Sequence, residues 1–203
     1  MASRDDVRRR AETRPERKSD ISQPGVFEQR VAIVRSGRAG EHYTPSESER
    51  YTEANISTER EMAVACLGLL GAGTARQLLL DLGTGSALSA HVVCEAGHIC
   101  LGIDVAWAML ALARTSGSGS GCSLELLQHD LGKGLPLRSG TADGAISVAV
   151  LQWLCDDPAA TAAFFDGLRA CLAPGARVAL QFYPTPSGAA AALAGARAAG
   201  FDK

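Results

Sequence analysis

Three carboxylates, each placed just after a short apolar run, are the residues of this chain best suited to chemistry. They are Asp81 after LLL, Asp104 after ICLGI and Asp130 after LELLQH. Beyond the first lies Gly83-Thr84-Gly85, where two residues without a Cβ let backbone N–H groups approach a ligand closely. The whole stretch LLLDLGTGSALSA (78–90) reads as a buried parallel strand, a tight turn and a helix N-terminus, a common device for holding nucleotides. A carboxylate at Asp104, in the next strand, can accept hydrogen bonds from both hydroxyls of an adenosine ribose. Charge-assisted bonds of that kind contribute roughly 1.5–3 kcal/mol each. Asp104 also suits capping of the helix that follows Val105, and the two roles are compatible.

The turn departs from the GxGxxG of dinucleotide folds, because Gly85 is followed by Ser86, Ala87 and Leu88. Asp81, two residues before Gly83, instead matches DxGxGxG, the pattern of S-adenosylmethionine enzymes, with Ala87 in the third glycine position. In that pattern the acid holds the ammonium of the methionine moiety, directly or through water. The third glycine mainly lets helix and strand pack closely, so one extra methyl at Ala87 is a mild change. Asp130 with Leu131 suits the adenine, a carboxylate for the exocyclic amine beside an apolar contact.

These residues need a scaffold that brings strand ends together. The periodicity predicts a helix over 46–70 with Met62, Cys66, Leu69 and Leu70 on one buried face, stopped by Gly71 and Gly73. Strands follow at 77–82, 98–104, 123–128, 142–150 and 177–183. Helices alternate with them: one after the glycine turn to about Glu95, then 106–114, 159–172 and 188–199, with a loop at 131–139. Such alternation indicates an α/β, Rossmann-like fold with a mostly parallel sheet and helices on both faces. Ligands in such sheets sit beyond the carboxyl ends of the strands, so the residues to watch are 81–87, 104–105, 129–131 and 147–153. The cofactor candidates are accordingly Asp81, Gly83, Thr84, Gly85, Asp104, Val105, Asp130, Leu131 and Ser147. Trp153, taken alone, reads as a core tryptophan before the helix at Pro158.

Residues 1–40 are polar and mixed in charge and read as a disordered arm, with 41–203 as one domain; SGSGSG (116–121) reads as a flexible connector. The arm's arginines suit contact with RNA phosphate, and its acids argue against a mitochondrial presequence. The formal net charge of -2 excludes a strong sequence-wide attraction to polyanions, so any nucleic-acid contact needs a local basic patch or a partner. No apolar run is long enough to span a bilayer, and no secretory signal is expected. The six cysteines form no CxxC pair and no metal-like spacing with the four histidines, so they read as reduced structural thiols and no metal site is expected.

Residues 78–183 resemble a class I S-adenosylmethionine-dependent methyltransferase, and more narrowly the Bud23 family, which methylates N7 of a guanine in small-subunit (18S) ribosomal RNA. The segments that carry the resemblance are LLLDLGTGSALS, GIDVAWAML, HDLGKGLPL, DGAISVAVLQWLC and RVALQFYP. It implies S-adenosyl-L-methionine as cofactor and a substrate-binding role for Gln152 and Trp153, the indole stacking on the base while Gln152 reads its edge. Guanine N7 has a lone pair and no proton, so the resemblance implies positioning without a catalytic acid or base. ERYTEAN around Tyr51 is loosely similar to the family's lysine-tyrosine segment and implies Tyr51 as a lid residue. A small zinc-binding activator of the Trm112 type is implied on edge strand 123–128, with Leu124 and Leu126 exposed there, and a nuclear or nucleolar location, with the cytoplasm as alternative. The chain stops at Lys203 where the family continues with two more strands and a basic tail. That difference predicts an intact donor pocket, strand 5 left as an open edge, and a reduced RNA surface. A small-molecule methyltransferase and a non-catalytic ribosome-assembly domain are the alternative readings.

Overall fold

The computed structural model describes residues 43–116, 122–183 and 185–202. The expected arm (1–40) and nearly all of the serine-glycine connector lie outside the described residues. Helix α1 (Pro45–Leu70) starts on Thr44, whose hydroxyl accepts the Glu47 N–H at 3.3 Å, with Pro45 pre-setting the first turn. It ends at Gly71, whose N–H donates to the Gly68 carbonyl. Then come β1 (Leu78–Leu82), α2 (Leu88–Glu95), β2 (Ile99–Asp104), α3 (Trp107–Thr115), β3 (Ser123–Gln128) and β4 (Ala142–Val148). Helix α4 (Pro158–Cys171), β5 (Leu172–Gln181) and α5 (Pro186–Ala198) complete the order, with 3-10 turns at Leu131–Lys133 and Leu151–Trp153.

The five strands are all parallel, in the order β3-β2-β1-β4-β5. The order reverses direction between β1 and β4, which places the switch point, and so the site, beside the end of β1. Successive residues of a strand face opposite sides. Leu79, Cys100 and Ile146 therefore enter one core with Ala63, Cys66 and Leu70 of α1 and Val93 of α2. Leu80, Leu82 and Ile103 enter the other, with Phe164, Phe165 and Leu168 of α4 and Ala192 of α5.

Four expectations change. Leu69 is 73% exposed, because the buried face of α1 centres on Ala63, Cys66 and Leu70, and Leu69 points about a quarter-turn away from that axis at 100° per residue. Strand β5 starts at Leu172, and a register shift between Ala142 and Gly144 of its partner absorbs the Pro174-Gly175 turn, as edge strands allow. Strand β4 stops at Val148, because Ala149 takes a left-handed φ of 57°. On β3, Leu124 and Leu126 are half-buried against the α1–α3 core rather than exposed. What β3 leaves open is its backbone edge, since among the described residues it pairs with β2 alone.

Candidate functional site

A cleft opens at the carboxyl ends of the strands. Gly83 and Gly85 of the turn, Asp104 and Val105 after β2, Asp130 and Leu131 after β3, and Trp153 after β4 share its wall with Tyr51 of α1. Sequence-predicted residues from five separate segments are thus brought to one cavity.

The turn has the geometry that a close backbone approach requires. Gly83 has φ +79 and Gly85 φ +53, and the N–H groups of Gly83 and Thr84 both donate to the Ile103 carbonyl, at 2.7 and 3.0 Å. Asp104 secures the turn from the neighbouring strand. Its Oδ2 accepts the Gly85 N–H at 2.9 Å and its Oδ1 accepts the Ala106 N–H at 2.8 Å. It therefore acts at the start of α3 while still facing the cleft, and burial holds its carboxyl above the ordinary range despite those bonds. Asp130 accepts the Gly132 N–H at 3.0 Å and pairs with Lys133 at 3.3 Å. The Trp153 indole N–H donates to the Ala149 carbonyl at 3.1 Å, which fixes the ring plane at the wall.

Asp81, Thr84, Ser147 and Gln152 are not on the wall. Asp81 is fully buried on the α2 side of the sheet, where its Oδ2 accepts the Thr84 and Ser89 hydroxyls at 2.6 and 2.7 Å. Thr84 also packs against Gly102, where a Cβ would meet its side chain at 2.8 Å. Ser147 donates to the Leu82 carbonyl at 2.7 Å and ties β4 to the end of β1. Gln152 is 8% exposed; its amide donates to the Ala149 carbonyl at 2.7 Å and its oxygen accepts the Tyr183 N–H at 3.4 Å.

Sequence reasoning missed Tyr43, Glu59, Met109 and Leu154, all on the wall, whereas His129 and 148–150 fall within the strand-end windows it singled out. Glu59 carried a readable signal, since it sits four residues before Ala63 and so extends the buried stripe of α1 with an acid. Its Oε1 accepts the Tyr51 hydroxyl at 2.7 Å, and Tyr43 meets Tyr51 edge-on at 5.8 Å. Burial pushes the Glu59 carboxyl up to about 7; the Tyr51 bond opposes this, and the charges of Asp81 and Asp104 add to it. Burial likewise pushes Asp81 up to about 6, against the bonds from Thr84 and Ser89. Among the described residues, the cleft wall carries no lysine or arginine. Three mutually repelling carboxylates beside an apolar cavity, with Asp81 Oδ1 buried and unpartnered among the described residues, suit a ligand that brings positive charge. Among the described residues no group of His, Cys, Asp or Glu is arranged to hold a metal ion, and no helix is long and apolar enough to cross a membrane.

Residues 80–180 match the family model described as a methyltransferase domain. An 18S rRNA (guanine-N(7))-methyltransferase of Arabidopsis thaliana, RID2, is 38% identical over 154 residues, covering 70% of this chain and 52% of the relative. The chain spans about half the length of the curated relatives it matches. Among solved structures, an S-adenosylmethionine-dependent methyltransferase from Mesorhizobium loti aligns with a TM-score of 0.52 at 27% identity, over 62% of this chain and 53% of that one. A complex of the Haloferax volcanii Trm112 methyltransferase activator with a methyltransferase aligns with a TM-score of 0.50 at 18% identity, over 72% and 57%, a likeness of fold.

Proposed function

We propose that this chain, which belongs over residues 80–180 to the methyltransferase-domain family, transfers a methyl group from S-adenosyl-L-methionine to N7 of a guanine in small-subunit ribosomal RNA. The observation that carries the reading is the shared wall of the cleft. The glycine turn, Asp104 and Asp130 stand there with Trp153, so a donor site and an aromatic platform adjoin. The 38% identity to the Arabidopsis enzyme supports the choice of substrate.

The residues fit the cofactor. Asp104, Val105, Asp130 and Leu131 all line the cleft, Asp104 with lone pairs left for ribose hydroxyls, Val105 and Leu131 offering apolar contact to the adenine, and Asp130 offering a carboxylate to its exocyclic amine. The excess of buried negative charge matches a cation, and Gly85 has no heavy atom within 4 Å of the place a Cβ would take. Bound there, S-adenosyl-L-methionine supplies an electrophilic methyl on a sulfonium. The protein's own work is positional, because a guanine N7 needs no base to remove a proton. Trp153 stacks the base, held by its bond to Ala149; Gln152 braces the same carbonyl from behind rather than reading the base edge. Asp81, Thr84 and Ser147 hold the turn and the strand ends in register. Tyr51, clamped to Glu59, closes the cleft from α1.

An activator of the Trm112 type would add a strand to the open edge of β3, by the backbone pairing that edge strands offer. Solubility and cofactor affinity that are equal with and without the co-expressed activator would count against that partner. A nuclear or nucleolar location follows from the same substrate. The deciding experiment maps N7-methylguanosine in small-subunit RNA after deletion of the gene. Loss of one modified site is expected, and an unchanged profile overturns the RNA substrate. Methyl transfer into small-molecule extracts, but not RNA, would instead point to a metabolite substrate.

A further inference from the structure

Glu59 has no place in the scheme of glycine turn and strand ends, yet it stands on the cleft wall. It comes from α1, on the helix face that Ala63, Cys66 and Leu70 bury, and the Tyr51 hydroxyl holds its Oε1 at 2.7 Å. Asp81, which the DxGxGxG pattern nominates for the methionine ammonium, does not line the cleft. Strand parity sends its side chain toward α2, it is 0% exposed, and the Thr84 and Ser89 hydroxyls share its Oδ2. Among the described residues, the charged and titratable groups facing Glu59 are Tyr51 on its own helix, Asp81 at the end of β1, Asp104 at the end of β2, and Tyr183 beyond β5. None of these is cationic. Arg60, next in sequence, is drawn to Glu95 of α2 at 2.6 Å. A wall carboxylate surrounded by negative neighbours is completed by a cation that arrives with the ligand.

We propose that Glu59 is the residue that binds the α-ammonium of the methionine moiety of S-adenosyl-L-methionine, and that Asp81 supports the turn from behind. The assignment rests on the cofactor reading above. Glu59 shares the cleft wall with Asp104, and the charges of Asp81 and Asp104 both reach it.

The test compares three adenosine sulfur compounds by calorimetry on the full chain. S-adenosylmethionine and S-adenosylhomocysteine carry the amino-acid ammonium, and 5′-methylthioadenosine lacks it. Glu59→Gln is expected to weaken the first two by about tenfold and the third by less than about twofold, with the thermal melt showing a folded protein. In the wild type, the ratio of homocysteine-compound to methylthioadenosine affinity is expected to rise several-fold from pH 6 to pH 8, as Glu59, which titrates at about 7, ionises. In Glu59→Gln that ratio stays flat. The wild-type ratio needs no variant, so it stands even if Glu59→Gln folds poorly. Equal loss on all three ligands, unchanged affinities, or a flat wild-type ratio overturns the assignment while leaving the cofactor reading intact. Wild-type protein that binds none of the three overturns the cofactor reading and the assignment with it.

Discussion

Gly83→Ala and Gly85→Ala change neighbouring positions by the same methyl, and the structure predicts different outcomes. Both glycines have positive φ, +79 and +53, where an alanine costs about 1–2 kcal/mol. At Gly85 that is the whole cost to the apo protein, because no heavy atom lies within 4 Å of the new Cβ. At Gly83 the Cβ would lie 2.0 Å from Cγ2 of Val150 and 3.1 Å from its Cβ and Cγ1. Val150 is β-branched and stiff at χ1, so the strand-4 loop must move, and overpacking of this kind adds about 1–3 kcal/mol. Gly83→Ala should therefore destabilise by about 2–5 kcal/mol in total, a large part of the ~5–15 kcal/mol that typical domains hold. Urea denaturation of both variants reads the difference, and at roughly 2–4 °C per kcal/mol for a domain of this size the melts should separate by about 2–12 °C. Val150→Ala in the Gly83→Ala background removes the clashing methyls and should restore most of the steric part, giving a favourable coupling of about 1–3 kcal/mol. Gly85→Ala should instead cost only the ~1–2 kcal/mol of its backbone conformation and lose cofactor binding, because Gly85 lines the cleft and its methyl projects into open space. Equal destabilisation at the two glycines, or a Val150→Ala change that merely adds to the damage, would refute the reasoning.

Further outcomes follow from the same geometry. Glu59 and Asp81 titrate higher in the folded protein, at about 7 and about 6, than their usual 4.5 and 3.8, so the folded state binds more protons. Stability without ligand should then fall as pH rises from about 4 to about 7, and Glu59→Gln should flatten the upper part of that slope; a Tm difference between the two proteins that is constant from pH 5 to pH 8 would contradict it. Ala149→Gly should stabilise by about 0.5–1 kcal/mol, because it relieves a left-handed φ of 57° against a smaller entropy loss. Ala87→Gly, also left-handed at 69°, should be close to neutral, since it gives up a fully buried methyl of about 0.8 kcal/mol; a larger gain at 87 than at 149 in urea denaturation would be evidence against this ranking. Asp104→Ala releases the Gly85 and Ala106 N–H groups together and should abolish measurable cofactor binding by calorimetry, whereas retained affinity would remove Asp104 from the site.

Alternation of apolar runs with helical periods was enough to lay out the parallel sheet, and the glycine turn with acids at three strand ends was enough to locate the cleft. Both are local patterns, and local backbone preference decides them. Orientation was harder to read. Asp81 and Gln152 carry the right chemistry in the right segments, yet one faces α2 and the other braces Ala149, because strand parity and the turn after β4 set their directions. Ala87 looked like a concession to close packing, whereas its left-handed backbone shows what the usual glycine there avoids.

By itself the chain determined the order of elements, the place of the glycine turn and the identity of the acids around it, since each depends on neighbours within a few residues. Only the tertiary structure decided which acids reach the cleft. Glu59 and Asp81 are 22 residues apart, on a helix and a strand whose relative placement depends on the α1–α2 core. Their electrostatic coupling exists only once Ala63, Cys66 and Leu70 have packed that helix against the sheet.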